Sequence, residues 1–267
     1  MFRGYGVDLA DLREYQPGDD VRYIDWNVTA RMDEPYLREY TEDRELSAWF
    51  LLDLSPSVDF GTAEADRQKR SVLIDFVTTL ARLLTRRGNR VGAVLYGDGV
   101  ERTIPAGSGR IQVLRIVDAL LRQPRHAAAP FTDLRPLLDA GSKAIKRRSL
   151  VFVISDFISE PGWEKSLELL ARRHEVIAIR LVDPREAVLP DVGPVILQDA
   201  ETGEQIYVDT GDRAFRRRFE EAAAAREAAI TAGFRRAGIE AVTFSTDEDL
   251  VRSIIRMATL RKKRRSA

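Results

Sequence analysis

A chain of 267 residues, 44% of them hydrophobic, is long enough to bury a core as one large α/β domain or two small ones. It contains no cysteine, which excludes disulfides, thiolate metal sites and cysteine nucleophiles and leans towards a cytoplasmic location. Its 42 Lys and Arg balance 42 Asp and Glu, which excludes a chain-wide field drawing in nucleic acid or anionic lipid.

The first 45 residues are dense in charge and aromatics and show neither helical nor strand periodicity, as in "LREYQPGDDVRYIDWNVTARMDEPYLREYTEDRE". Gln16-Pro17-Gly18-Asp19 reads as a turn, with Pro17 presetting φ and Gly18 free to take positive φ. The segment is expected to pack as irregular structure with one or two strands on a sheet edge. Its charges, Arg13, Asp19, Asp20, Arg22, Asp25 and Arg31, form either a partner surface or an ion-pair network holding the loops. The start "MFRGYGVDLADL" lacks the basic-then-apolar pattern of a signal peptide, and no apolar run reaches the ~18 residues of a membrane span, so a soluble, unexported chain is expected.

From Leu46 onward short apolar runs alternate with longer amphipathic stretches. Strands are expected at Leu46 to Asp53, Arg90 to Tyr96, Leu150 to Ser155, Val176 to Val182 and Ile239 to Phe244. Helices are expected at Ala65 to Arg87, Ile111 to Leu121, Leu134 to Lys146, Trp163 to Arg172, Asp212 to Ala237 and Glu248 to Leu260. Repeated strand-then-helix units imply right-handed crossovers, hence an α/β fold: a doubly wound, mostly parallel sheet with helices on both faces. Two hairpins, "YGDGVERTIP" and "VILQDAETGEQIYV", read as edge strands of that core. "AAAAREAA" is helix-forming rather than low-complexity sequence. The basic run Arg261 to Arg265 either meets phosphate or acidic headgroups or is a solvated, frayed tail whose charge favours the preceding helix dipole. The organisation expected is a lead-in at 1–45, an α/β domain at 46–260 and a basic tail at 261–267.

The stretch that carries chemistry is "LLDLSPSVDFGT", where a buried run ends at Asp53 and Ser55 and Ser57 follow around Pro56. At the carboxyl end of a strand in an open parallel sheet, loops converge on a ligand site. Asp53, Ser55 and Ser57 offer a carboxylate and two hydroxyls, and a hard cation such as Mg²⁺ takes about six oxygens, one or two of them carboxylate. Asp156, at the end of the strand "VFVIS", and Thr132, in "PFTDLRPLL", are the candidates on neighbouring loops. Each residue also has a plainer reading: turns and helix caps for Asp53, Ser55 and Ser57, an N-cap for Thr132, an Asx-turn for Asp156.

Asp-x-Ser-x-Ser after the first strand, a threonine on a later loop and an aspartate after a subsequent strand resemble the metal-ion-dependent adhesion site of von Willebrand factor type A (vWA) domains. More narrowly, "LADLREYQPGDDVRYIDWNVTAR" followed by "YLREYTEDRELSAWFLLDLSPS" resembles the domain of unknown function 58 family, with the likeness running from Gly4 over nearly the whole chain. Val58 stands where that family commonly has methionine. The resemblance implies a vWA-like domain holding Mg²⁺ or Mn²⁺ on Asp53, Ser55, Ser57, Thr132 and Asp156. It also implies a binding module rather than an enzyme: an adaptor or chaperone-like partner of a MoxR-type AAA+ ATPase, met through an acidic residue. Other members of the family carry membrane-spanning helices upstream, which would associate such a protein with the membrane.

The rival reading is a metal-dependent hydrolase or nuclease acting on a phosphoester. A haloacid-dehalogenase arrangement needs a second aspartate where Ser55 stands, and Gly-x-Ser-x-Gly is absent. His126 and His174 read as structural or exposed. Gly107 to Arg110 lacks the lysine and hydroxyl of a phosphate loop, and "KRRS" at Lys146 to Ser149 lacks an aromatic stacking platform, so no specific nucleic-acid binding is expected.

Overall fold

The computed structural model describes residues 8–32, 34–41, 46–59, 68–125, 131–199 and 202–266. It divides into two compact units, Met1–Leu46 and Ser47–Ala267.

In the first unit β1 (Asp8–Glu14) pairs antiparallel with a later strand, across a 3-10 turn at Val21–Tyr23 and a short helix α1 (Trp26–Met32). The partner strand is β2 (Tyr36–Thr41), and the two form a sheet of their own, not the added edge strands that the sequence suggested. Local charge pairs bridge the turns of this unit. Arg13 grips Asp19 through both terminal nitrogens at 2.7 and 2.8 Å, Arg22 chelates Asp20, and the Asp25 carboxylate accepts the Asn27 and Val28 N–H groups that begin α1. Five of the six charges singled out in this segment are therefore engaged locally, while Trp26 and Tyr23 are exposed.

The second unit runs β3 (Ser47–Asp53), α2 (Lys69–Thr85), β4 (Arg90–Tyr96), β5 (Val100–Gly107), α3 (Gly109–Arg122), α4 (Arg135–Ala144), β6 (Leu150–Ser155), α5 (Trp163–Arg173), β7 (Glu175–Val182), β8 (Pro194–Gln198), β9 (Gln205–Asp209), α6 (Arg213–Ala237), β10 (Ala241–Ser245) and α7 (Leu250–Ser266). Six of the strands form one sheet in the order β10-β7-β6-β3-β4-β5, parallel throughout except for the antiparallel β4–β5 hairpin. The expected doubly wound α/β sheet is present. After β3 the chain crosses to β4 on one side, and β6 then pairs with the other side of β3, so the strand order reverses between β3 and β6. That reversal opens a crevice at the carboxyl ends of these two strands.

Alternate side chains of the central strands feed two cores, as strand geometry requires. On one side Trp49, Leu51, Val151 and Val153 pack with Leu137 and Leu138 of α4, Leu167 and Leu170 of α5 and Phe234 of α6. On the other, Phe50 stacks on Phe152 with ring centres 5.4 Å apart, and Phe76 of α2 meets Phe152 and Phe244 edge-on. Two glycines allow helices close to these cores: a Cβ on Gly141 would lie 2.6 Å from Leu51 and one on Gly233 would lie 2.6 Å from the Trp163 ring.

Several boundaries differ from those read in the sequence. The hairpin β8–β9 is a separate two-stranded sheet, not an edge of the main one, whereas β5 is an edge strand as expected. β10 starts at Ala241, because Gly238 at φ 65 closes α6 and Ile239 donates its N–H back to Phe234. α7 continues to Ser266 and so takes in the basic run, with Arg261 paired to Glu175. The expected helix starting at Ala65 begins at Lys69 among the described residues, and residues 65–67, like His126, lie outside them. Among the described residues no helix is long and apolar enough to cross a membrane.

Candidate metal centre

β3 ends with Asp53 wholly buried at the sheet's carboxyl edge. Asp53 Oδ1 accepts the Ser55 N–H at 3.0 Å, an Asx-turn that bends the chain out of the strand, and Pro56 then opens a 3-10 turn over Pro56–Asp59. The bend places the Ser55 and Ser57 hydroxyl oxygens 3.1 Å apart, both buried. The turn-forming reading of this loop and the ligand reading are thus compatible, since one Asp53 oxygen makes the turn while the hydroxyls gather beside it.

β6, hydrogen-bonded to β3, ends one residue before Asp156, which is 1% exposed. Ser155 donates its hydroxyl to Asp53 Oδ2 at 2.6 Å and accepts the Phe157 N–H at 2.8 Å, while Asp156 Oδ1 accepts the Ile158 N–H at 3.0 Å. This turn carries strain: Phe157 is the one non-glycine among the described residues with positive φ, at 59°, a conformation costing on the order of 1–3 kcal/mol. Packing holds it there, with ring centres 4.6 Å to Phe234 and 5.2 Å to Trp163.

Thr132 is buried on the loop before α4, but it is not the N-cap; Leu134 is, with no side-chain cap bond. The loop is stitched to its neighbours: the Thr132 carbonyl accepts the Glu160 N–H at 2.9 Å, Asp133 N–H reaches the Tyr96 hydroxyl and Leu134 N–H reaches Ser159 Oγ. Tyr96 is the register partner of Asp53, and residues 159–160 follow β6, so Thr132 is carried on the same edge as Asp53 and Asp156.

Sequence reasoning missed three charged residues here, Lys69, Arg70 and Glu186. Lys69, fully buried at the start of α2, donates to Asp156 Oδ2 at 2.8 Å and to Glu186 Oε1 at 2.6 Å. Beside it the Arg70 guanidinium holds Asp59 at 2.6 Å. Two buried cations in the first turn oppose the helix dipole, which favours anions there, so their carboxylate partners are what make the position tolerable. That reversed charge at a helix start was the available signal in "RQKRSVL". Glu186 belongs to a capping box with Asp183 after β7 and shows no comparable cue.

Electrostatics mark the pair of aspartates. Burial, and then the charge of Asp156, push Asp53 up to about 7, against the pull of its bonds from Ser155 and Ser55. For Lys69, burial opposes the charge, but Asp156 and Glu186 outweigh it and hold the ammonium above the usual lysine value. Among the described residues no three His, Cys, Asp or Glu side chains converge, so a cation here would rest on two carboxylates and hydroxyl oxygens. That set is hard and all-oxygen, and a buried carboxylate whose charged form is disfavoured by burial and by a second aspartate is the environment a divalent cation relieves. The donor set fits Mg²⁺ or Mn²⁺. Ser57 lines a cleft of about 440 Å³ together with apolar side chains such as Ile158, Leu197 and Phe219 and charged ones that include Glu186 and Arg226.

The family described as "Protein of unknown function DUF58" matches residues 11–229. "Uncharacterized protein Rv1480" of Mycobacterium tuberculosis is 37% identical over 263 residues, spanning 98% of this chain and 82% of that protein. "Uncharacterized protein MAV169" of Mycobacterium avium is 37% identical over 160 residues, 60% of this chain and 94% of its own length. Among solved structures, the conserved hypothetical protein BatB from Bacteroides thetaiotaomicron superposes with a TM-score of 0.53 at 14% identity, covering 81% of this chain and 98% of that one, a likeness of fold.

Proposed function

The chain belongs to the DUF58 family, and on that premise we propose that its vWA-like domain is a non-catalytic protein-binding module that recognises an acidic residue of its partner through a divalent cation. The residues that would hold the cation are Asp53, Ser55, Ser57, Thr132 and Asp156. The observation that carries this reading is the placing of two buried aspartates at the ends of adjacent parallel strands, at the point where strand order reverses, with Ser55 and Ser57 hydroxyls 3.1 Å apart on the intervening turn.

A bound Mg²⁺ or Mn²⁺ would supply a positive centre for a carboxylate from another protein. Asp53 would be the anchoring carboxylate, fixed by the Ser155 hydroxyl and the Ser55 N–H so that its oxygens are oriented before any ligand arrives. Ser55 and Ser57 would contribute neutral oxygens, adding no negative charge to that of the two carboxylates. The cleft beside Ser57, lined by both apolar and charged side chains, offers a seat for a side chain flanking that carboxylate. The partner we propose is an AAA+ ATPase of the MoxR type, in keeping with the resemblance of the chain.

Two measurements test this. Mg²⁺ or Mn²⁺ is expected to raise the melting temperature of the wild type, and Asp53→Ala is expected to abolish that rise. A variant keeping the full rise would remove the site. Retention of a MoxR-type ATPase on the immobilised chain is expected to need the cation and to be lost in Ser55→Ala/Ser57→Ala. Unchanged retention would place recognition elsewhere.

A further inference from the structure

Lys69 and Glu186 are not ligands in the arrangement above, yet both are built into the same edge. The Lys69 ammonium sits 2.8 Å from Asp156 Oδ2 and 2.6 Å from Glu186 Oε1, with its side chain 0% exposed. Because Asp156 Oδ1 already takes the Ile158 N–H, Lys69 occupies the other oxygen of the very carboxylate expected to face a cation. Four charged groups are therefore linked in a chain: the Asp156 charge acts on Asp53, and Asp156 and Glu186 share the one ammonium. Fully ionised they carry two net negative charges, the amount that one divalent cation cancels.

A cation drawn to Asp156 competes with the ammonium for that carboxylate. A buried lysine stripped of its counter-ions would be strongly destabilising. Glu186 removes that obstacle: it already shares the ammonium, and its side chain is 18% exposed at the rim of the cleft. The ammonium can shift its weight to Glu186 without leaving its place.

We propose, resting on the metal-binding reading, that Lys69 sets the cation affinity of this site as a tethered competitor for Asp156, and that Glu186 is the carboxylate that takes over Lys69 when a divalent cation claims Asp156. Lys69 is thus a positioning residue for Asp156, and its presence makes the site weaker and more discriminating than its oxygens alone would be.

The test is calorimetric titration of the full chain with Mg²⁺ alone, comparing wild type, Lys69→Met, Glu186→Gln and Asp53→Asn. Lys69→Met is expected to tighten binding by ~10-fold or more and Glu186→Gln to weaken it by ~10-fold, the scale of a single nearby charge in a poorly screened site. A merely structural role for Lys69 would weaken binding in both. Binding in Lys69→Met where the wild type shows none also supports the proposal. Wild-type binding that Asp53→Asn abolishes but Lys69→Met leaves within ~2-fold overturns it while leaving the metal site intact. No binding in any variant overturns both. Should Lys69→Met lack a cooperative melt, Glu186→Gln decides: affinity equal to or tighter than wild type overturns the proposal.

Discussion

Ser155 donates its hydroxyl to Asp53 Oδ2 at 2.6 Å, joining residues 102 positions apart at the ends of two paired strands. The Ser155 hydroxyl oxygen also accepts the Phe157 N–H, so one serine fixes the Asp53 carboxylate and the turn that carries Asp156. Ser155→Ala leaves a buried carboxylate oxygen and a buried amide without that partner. It is expected to cost about 1–3 kcal/mol, read as a shift of the denaturant midpoint at unchanged slope.

Asp53 makes the cation-free protein sensitive to pH in an unusual direction. Its carboxyl, raised from 3.8 to about 7 by burial and by Asp156, keeps its proton in the folded state while the unfolded chain has released it. The folded state then binds more protons than the unfolded one between about pH 4 and 7, so this residue's contribution to stability falls as pH rises through that window, by up to about 1.4 kcal/mol per pH unit. Above about pH 7 both states are ionised and the slope ends. The wild-type minus Asp53→Asn difference in unfolding free energy, measured in chelator, should trace that decline, and Mg²⁺ should flatten it.

His174 gives a contribution of the opposite slope. It is 4% exposed, and among the described residues neither ring nitrogen has a hydrogen-bond partner. Burial, then the nearby Arg173 and Arg148 charges, depress its pKa. The folded state therefore stays neutral where the unfolded chain takes up a proton, and stability is lost as pH falls below 6.5, the ordinary histidine value. His174→Leu is expected to remove that loss; a variant whose acid limb matches wild type would contradict it.

Gly233 faces Trp163 so closely that an added Cβ would stand 2.6 Å from the indole. Because the ring is wedged against Phe157 and Phe234, it has little room to yield. Gly233→Ala should cost about 1–3 kcal/mol by chemical denaturation despite the better helix propensity of alanine.

β4 and β6 could be bounded from sequence because strands buried on both faces appear as unbroken apolar runs that stop at polar residues. β10 could not, since Ile239 is apolar and buried as part of the α6 closure, not as a ladder residue. The hairpin β8–β9 was visible as a hairpin, but its pairing partner was not: alternation marks a strand without saying which sheet it joins. The lead-in strands failed in the same way, pairing with each other. At the site, Asp53, Ser55 and Ser57 were legible because five residues carry the pattern. The Lys69 contacts to Asp156 and Glu186 span 87 and 117 positions, and no local spacing encodes them. Ser155 was counted as the last residue of a strand, which it is, while its hydroxyl does a second job that only the β3–β6 register determines.

The left-handed backbone at Phe157 gives the polar rim a hidden dependence on an oily underside. Released from Trp163 and Phe234, a phenylalanine would unwind to negative φ, and the peptide bearing Asp156 would turn with it. Repacking that aromatic knot for thermal robustness is therefore also an intervention on the sheet edge that carries Asp53 and Asp156, and the two cannot be tuned separately.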